Sequence, residues 1–503
     1  MLKISGKKIG FWLGLGLFVA LLAAPIDAGN AAASRMAAVA ALMGAWWITE
    51  AIPIPVTALL PVALFPILKI MKGSAVSELY FNTYIFLFTG GFVLALALEK
   101  WNLHRRMALS IVRVIGGKPE TIVLGFMCAT GFISMWISNT ATAMMMLPIA
   151  MSVIAVMRPE AEGLSGAPNI SGAPVGYRNF ATGLMLSVAY AASIGGMATL
   201  IGTPPNLLLI QVYEIEFPGA APISFAQWMM MATPLAVVFL LVTWVLLAYV
   251  LFPAGRETLL KGREVIRHEL QKLGRMRPAE MRVLFIFSAT VLLWIFRGGD
   301  AKSGGLTGWS DRLGLAGWVD DGTVAVAMAL LLFLIPSGES KGGALMDWAT
   351  AVRLPWGILF LFGGGFALAG GFESSGLSAW IGEGLKGLAG FPPIILTGAV
   401  CTTVTFLSEM TSNTATAGAV LPIVAAVAKA IQVHPLSLMI PATLSASLGF
   451  MLPVATPPNA IVFGSGHVTI QQMAKAGLAL NLIGIVLVTA TTFLLALPLF
   501  GGG

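Results

Sequence analysis

The chain has 503 residues, of which 57% are hydrophobic and 10% charged, against about 25% charged in a soluble domain. Many apolar runs reach the roughly 20 residues a helix needs to cross a bilayer. This excludes a soluble globular protein and makes one helical, lipid-embedded unit of the chain. The net charge of +7 does not imply a nucleic-acid partner, because the basic residues sit in short loops, where Lys and Arg mark the cytoplasmic side.

Lys3, Lys7 and Lys8 precede an apolar stretch at 9–27 and place the N-terminus inside. Met1 to Pro25 has the charge and apolar core of a signal peptide, but no clear small-residue cleavage site is followed by a soluble domain, so a retained first span is expected. A second span is predicted at 36–51 and a third at 56–70. Between them, the prolines of Glu50-Ala51-Ile52-Pro53-Ile54-Pro55 stop one helix and delay the next. The fourth span, 80–99, contains Phe88-Thr89-Gly90-Gly91-Phe92, whose glycines permit close helix contact. The stretch 101–116, with Trp101, His104, Arg105, Arg106, Met107, Ile111 and Arg113, is amphipathic and basic and suits the cytoplasmic membrane surface.

Residues 120–157 are apolar at both ends and polar between Ser134 and Thr142. They are predicted to form a re-entrant hairpin that turns at Ser138-Asn139-Thr140, since non-helical backbone at membrane depth must be buried in protein or line a cavity. A polar loop at 158–178 is expected to be exposed and mobile. The fifth span, 179–214, breaks at Gly202-Thr203-Pro204-Pro205-Asn206, where two prolines remove two N–H donors. A sixth span at 225–252 leads into a basic segment with Arg256, Lys261, Arg263, Arg267, Lys272, Arg275, Arg277 and Arg282. Spans follow at 280–297, 322–336 and 355–373, the last carrying Phe362-Gly363-Gly364-Gly365-Phe366. Residues 392–432 are a second hairpin. A span at 436–467 breaks at Ala455-Thr456-Pro457-Pro458-Asn459, and a final span covers 470–498.

The two hairpins are copies. Ser138-Asn139-Thr140-Ala141-Thr142-Ala143 returns as Ser412-Asn413-Thr414-Ala415-Thr416-Ala417, and Leu147-Pro148-Ile149 falls on Leu421-Pro422-Ile423. About nine of the twelve positions match, a fixed-offset duplication. Five spans separate the hairpins. An odd number inverts the second copy, so the hairpins enter from opposite faces. On this topology roughly 21 of the 29 Lys and Arg lie inside, and the acidic Tyr213-Glu214-Ile215-Glu216 loop lies outside.

Two hairpin tips and two unwound helices are expected to meet near the bilayer midplane. Each tip offers helix-end carbonyls to a cation and free N–H groups to an anion. Hard cations prefer oxygen. One sodium site is therefore predicted from Ser134, Ser138, Asn139 and backbone at Gly202, and its mate from Ser408, Ser412, Asn413 and backbone at Ala455. The anion is expected between them on Asn139, Thr140, Asn413 and Thr414, with Thr203, Thr456 and Pro457 alongside. No Lys or Arg occurs in either hairpin core or beside either Pro-Pro break, so bound sodium must neutralise a dianion there. Two sodium ions balance it; a third would make transport electrogenic, worth about 2.3 kcal/mol per charge per 100 mV.

Blander readings stand beside these. Isolated Ser or Thr in membrane helices bond their own backbone or a neighbour; it is duplication that favours function here. Glu409 is an intramembrane acid and so a functional candidate, yet its counterpart in the first repeat is Met135, which favours a structural role. Glu50 caps or pairs at the interface, and His434 and His467 lie at span ends. Cys128 and Cys401 are packing residues rather than a disulfide. No Lys follows the glycine-rich stretches as a phosphate loop would need, and no catalytic constellation suggests an enzyme.

The two Ser-Asn-Thr tips, each followed by Thr-Pro-Pro-Asn, resemble the divalent anion:sodium symporter family, which carries succinate, fumarate, malate, citrate or sulfate. The resemblance covers nearly the whole chain. It implies an all-α polytopic membrane protein with an inverted repeat, about eleven transmembrane helices, two re-entrant hairpins and two broken helices. It further implies a homodimer in the inner membrane, N-terminus cytoplasmic and C-terminus outside, working as an elevator. Carried over, 1–118 is scaffold (spans 1–4 and a first arm) and 119–255 is transport part (first hairpin, spans 5–6). Residues 256–391 are a second arm, scaffold spans 7–9 and a third arm, and 392–503 are transport part (second hairpin, spans 10–11). Threonine in both motif copies leans toward a C4-dicarboxylate such as succinate, with sodium as the coupling ion. Sulfate transport and sodium-independent exchange on the same fold are the alternatives.

Overall fold

A computed structural model of the chain describes residues 6–27, 29–115, 118–157, 174–254, 262–298, 307–339 and 342–500. Most of the polar loop expected at 158–178 lies outside the described residues, as do Lys3, Arg256, Lys261 and the side chain of Arg263. Among the described residues the elements are helical, with one isolated bridge between Pro336 and Ala344.

Among the described residues, eleven segments cross the bundle. They are Gly6–Ala23, Ala31–Thr49, Ile54–Thr57 with Leu60–Ile67, Thr83–Lys100, and Val175–Gly196 with Pro204–Glu216. Phe225–Val245 follows, continued by the π-turn Leu246–Leu251, then Pro278–Ile295, Asp321–Leu334, Trp356–Ser375, Leu436–Ser445 with Pro457–Phe463, and Ile470–Thr491. Eight described helices are long and apolar enough to cross a membrane. The hairpins are Pro119–Ser134 with Asn139–Val156, and Pro393–Ser408 with Asn413–Ile431. Their first arms have 16 residues, about 24 Å of helix against a hydrocarbon core of about 30 Å, so each turns back inside.

The third span departs from the sequence reading. A continuous helix was expected over 56–70; the structure has two short helices that part at Ala58 and Leu59. Pro61 has no N–H, and its ring would meet the carbonyl four residues back. The fourth span, expected over 80–99, is likewise set off from a preceding helix, Gly73–Tyr80, by a break at Phe81. Asn82 caps the helix Thr83–Lys100 by accepting from Tyr84 N and Ile85 N at 3.0 and 3.2 Å.

The glycine pairs do bring helices together. A Cβ on Gly90 would lie 2.5 Å from the backbone of Ala325, and one on Gly364 would lie 2.6 Å from Ala58 O. Another backbone contact of this kind joins the first hairpin to the fifth span: a Cβ on Gly195 would sit 2.2 Å from Gly131 O. Backbone cannot move aside as a side chain can. Gly195→Ala is therefore expected to cost about 1–3 kcal/mol by overpacking, read as a lower melting temperature of the detergent-solubilised protein.

Two amphipathic helices form over the basic stretches of the sequence. Leu103–Ile115 and Gly262–Lys272 are tied by Arg105 to Glu269 at 2.7 Å, and Arg106 reaches Glu280 at 2.5 Å and Gly274 O at 2.9 Å. Lys272 and Arg105 hold the Glu269 carboxyl below its ordinary range. Leu377–Leu385 is a further helix in the stretch assigned to a third arm.

At the other end of the bundle, the fifth span is fastened to its neighbours. The Tyr84 hydroxyl donates to Glu214. Lys429, on the second hairpin, donates to Glu216 at 2.8 Å and to Glu373 at 2.7 Å. Glu216 presents no side-chain surface to solvent, while the Glu373 side chain is 45% exposed.

Candidate functional site

A cavity of about 840 Å³ lies between the two hairpin tips and the two helix breaks. Ser138, Asn139, Thr140, Gly202 and Thr203 line it from the first half. Ser412, Asn413, Thr414, Ala455, Thr456 and Pro457 line it from the second. Phe88, Phe92, Ile358 and Leu361 form an apolar wall. The cavity reaches the end of the bundle where Thr49, Glu50 and Pro55 meet Pro355 and Gly357. No Lys or Arg is among its lining residues.

Of the thirteen sequence-predicted site residues, only Ser134 and Ser408 do not line the cavity. Both are fully buried and stand behind the tips. Ser134 Oγ contacts Asn139 Oδ1 at 2.6 Å and Ala192 O at 2.7 Å. Ser408 Oγ contacts Asn413 Oδ1 at 2.9 Å and Ala446 O at 2.6 Å. Each hydroxyl has one proton for two acceptors, so three oxygens gather around one hydrogen in each half. Such an oxygen-rich cluster suits a small hard cation. The carbonyls of Ala192 and Ala446 were not legible in the sequence, because alanine carries no side-chain signal for a backbone ligand.

The unwound segments press against these clusters. A Cβ on Gly196 would lie 2.5 Å from Asn139 Oδ1 and 3.1 Å from Gly202 O. Thr199 Oγ1 donates to Met135 O at 2.5 Å and accepts from Gly202 N at 3.1 Å, joining the break to the hairpin tip. In the second half a carboxylate does this work. Glu409 accepts from Phe450 N at 2.7 Å, Met451 N at 2.9 Å, Leu452 N at 3.2 Å and Asn481 Nδ2 at 2.7 Å. Three of the four donors are backbone N–H groups of the break and the fourth is a side-chain amide, so Glu409 organises the break, in line with the structural reading.

Proline decides which elements can face an anion. Pro204, Pro205, Pro457 and Pro458 open the two half-helices beyond the breaks and have no N–H to offer. The second hairpin arms begin instead at Asn139 and Asn413, where first-turn N–H groups are free of intrahelical partners. Ser138 Oγ takes one of them, Ala141 N, at 3.2 Å.

This arrangement can be set against known proteins. A family model described as the sodium:sulfate symporter transmembrane region matches residues 9–500. The chain belongs to the sodium:sulfate symporter family. The resemblance to divalent anion:sodium symporters seen in the two motifs is thereby borne out, and the protein is a membrane transporter rather than an enzyme. A sodium-dependent dicarboxylate transporter, SdcS, of Staphylococcus saprophyticus is 42% identical over 498 residues, covering 99% of this chain and 92% of that protein. SdcS of Staphylococcus aureus is 44% identical over 449 residues, 89% of this chain and 83% of that protein. Among solved structures, the Alcanivorax borkumensis YdaH transporter matches with a TM-score of 0.56 at 12% identity, over 99% of both chains. Neisseria gonorrhoeae MtrF matches at 0.54 and 12%, over 99% of this chain and 97% of that one. At that identity the likeness concerns the fold alone, and it agrees with the all-helical, duplicated architecture of this sodium:sulfate symporter family member.

Proposed function

We propose that this chain couples sodium entry to the uptake of a small divalent anion, a C4-dicarboxylate such as succinate in the first place. The duplicated oxygen cluster beside a cavity without lysine or arginine carries this reading. The 42–44% identity to proteins named sodium-dependent dicarboxylate transporters supports it. One sodium ion is assigned to Ser134, Ser138, Asn139 and the Gly202 backbone, with Ala192 O added. The other is assigned to Ser408, Ser412, Asn413 and the Ala455 backbone, with Ala446 O added. The anion sits between, on Asn139, Thr140, Asn413 and Thr414, flanked by Thr203, Thr456 and Pro457. Cation charge then stabilises the dianion and the dianion stabilises the cations, a reciprocal coupling.

In this reading the protein lies in the inner membrane as a homodimer, with its N-terminus in the cytoplasm and its C-terminus outside. Residues 119–255 and 392–503 move together as an elevator against 1–118 and 256–391. The cavity reaches the Glu50 end, the cytoplasmic end on this orientation, so the conformation is inward-facing.

The test is uptake of radiolabelled succinate into liposomes holding the purified protein, with an inward sodium gradient or with potassium in its place. Uptake is expected with sodium alone. Uptake without sodium that needs internal succinate would make the protein an exchanger. No uptake of succinate, with sodium-driven uptake of sulfate, would move the substrate to the anion in the family's description.

A further inference from the structure

We propose that Asn206 and Asn459 are positioning residues that set the affinity for sodium by holding the unwound carbonyls against the hairpin tips. The inference rests on the sodium-coupled reading above. Both side chains are fully buried and neither lines the cavity.

Asn206 Nδ2 donates to Thr199 O at 2.7 Å, with Gly196 O at 3.3 Å and Met197 O at 3.4 Å. Asn459 Nδ2 donates to Leu452 O and Gly449 O, each at 3.0 Å. The two Asn459 contacts have counterparts among the three of Asn206. Asn459 follows Asn206 by 253 positions, Gly449 follows Gly196 by 253, and Leu452 follows Thr199 by 253. Threonine in one half and leucine in the other show that the backbone carbonyl is what recurs.

Each broken helix stops at a turn whose last carbonyls lack helical N–H partners, and the prolines that follow cannot supply any. The asparagine that ends each Thr-Pro-Pro-Asn run does so from the next half-helix. Only its NH₂ end can face carbonyl oxygens, so the orientation of the amide is fixed. The carbonyls it gathers are those beside the proposed sodium ligands. Gly196 abuts Asn139 Oδ1, and a Cβ on Gly449 would lie 3.5 Å from Asn413 Oδ1. A second observation points the same way. Asn206 Oδ1 and Asn459 Oδ1 are both buried without a hydrogen-bond partner. In both halves it is therefore the amide nitrogen, and not the oxygen, that the side chain engages, as expected of a group whose task is to hold carbonyls.

The experiment uses the full-length protein in liposomes. Half-saturating sodium is measured at saturating succinate, half-saturating succinate at saturating sodium, and melting temperature in potassium. Asn206→Ala and Asn459→Ala are each expected to raise half-saturating sodium about tenfold, equal to about 1.4 kcal/mol. Half-saturating succinate should stay within about twofold and the melting temperature within about 4 °C. Asn206→Asp is the second variant and covers failure of the alanine variants to fold. Its ionised carboxylate opposes the carbonyls, while its protonated form donates one hydrogen bond. Its uptake relative to wild type is expected to be near zero at pH 8 and to rise at pH 6. Unchanged sodium response in both alanine variants, equal shifts for sodium and succinate, or an Asn206→Asp variant like wild type at both pH values would each overturn the proposal. A wild-type protein indifferent to sodium would instead overturn the sodium-coupled reading.

Discussion

Alanine in place of Asn139 or Asn413 is expected to lower sodium-driven succinate uptake at least about 100-fold, while the protein still folds and elutes as wild type. The geometry explains the size of the effect. Asn139 Oδ1 is one of three oxygens around Ser134 Oγ, and Asn413 Oδ1 is one of three around Ser408 Oγ. Both asparagines also face the cavity from the first turn of a hairpin arm. One substitution thus removes an oxygen proposed to bind sodium and a group proposed to bind the anion. Interactions with a charged partner are worth about 1.5–3 kcal/mol each, and 1.4 kcal/mol is tenfold. Folding should be spared, because each asparagine makes its described side-chain bond to a single serine, which keeps Ala192 O or Ala446 O as an acceptor. Uptake is read at saturating sodium and succinate, and wild-type rates in either variant would remove that tip from the site.

The second large effect concerns folding. Glu409→Met, which copies the Met135 of the other half, is expected to destabilise the protein by about 3–5 kcal/mol. Four N–H donors converge on this buried carboxylate, three of them consecutive backbone groups, Phe450 to Leu452. Methionine would leave them unpaired in a dry interior, where each unsatisfied group costs about 1–3 kcal/mol before relaxation. The first half escapes this loss because the corresponding groups, Met197 N and Ala198 N, donate to Ile194 O and Gly195 O of the preceding turn, while Thr199 fastens the break to the tip through Met135 O and Gly202 N. Glu409→Gln should fall between the two, since its amide turns one acceptor into a donor facing donors. A melting temperature equal to wild type in Glu409→Met would show that the carboxylate does not hold the break.

Much of this could be seen in the sequence, for definable reasons. Spans were visible because lipid forces about twenty apolar residues into each crossing. The hairpins were visible because a polar centre in an apolar run has few alternatives at membrane depth, and because the run occurs twice. The breaks were visible because proline removes a donor wherever it stands. Eleven of the thirteen predicted site residues line one cavity for the same reason: they belong to the duplicated tips and breaks.

What escaped was carried by backbone or by packing. Ala192 O and Ala446 O have no side-chain signature. Asn206 and Asn459 were in view at the ends of the Thr-Pro-Pro-Asn runs, but their role needs the fold of the unwound loop. The split of the third span at Ala58 and Leu59 turned on Pro61, inside a run apolar enough to pass for a continuous helix.

The fastening at Lys429 has a consequence for any motion of the proposed transport part. Lys429 and Glu216 both belong to that part, whereas Glu373 belongs to the proposed scaffold. Breaking a buried ion pair costs about 3–5 kcal/mol, and an exposed one about 0–1 kcal/mol. The buried partner, Glu216, would travel with the lysine, and the half-exposed one, Glu373, would stay behind in water. Sliding would therefore leave neither Lys429 nor Glu216 as a bare ion in a dry seam. The ammonium would remain neutralised along the whole stroke, and the barrier would contain only the cheaper of its two separations.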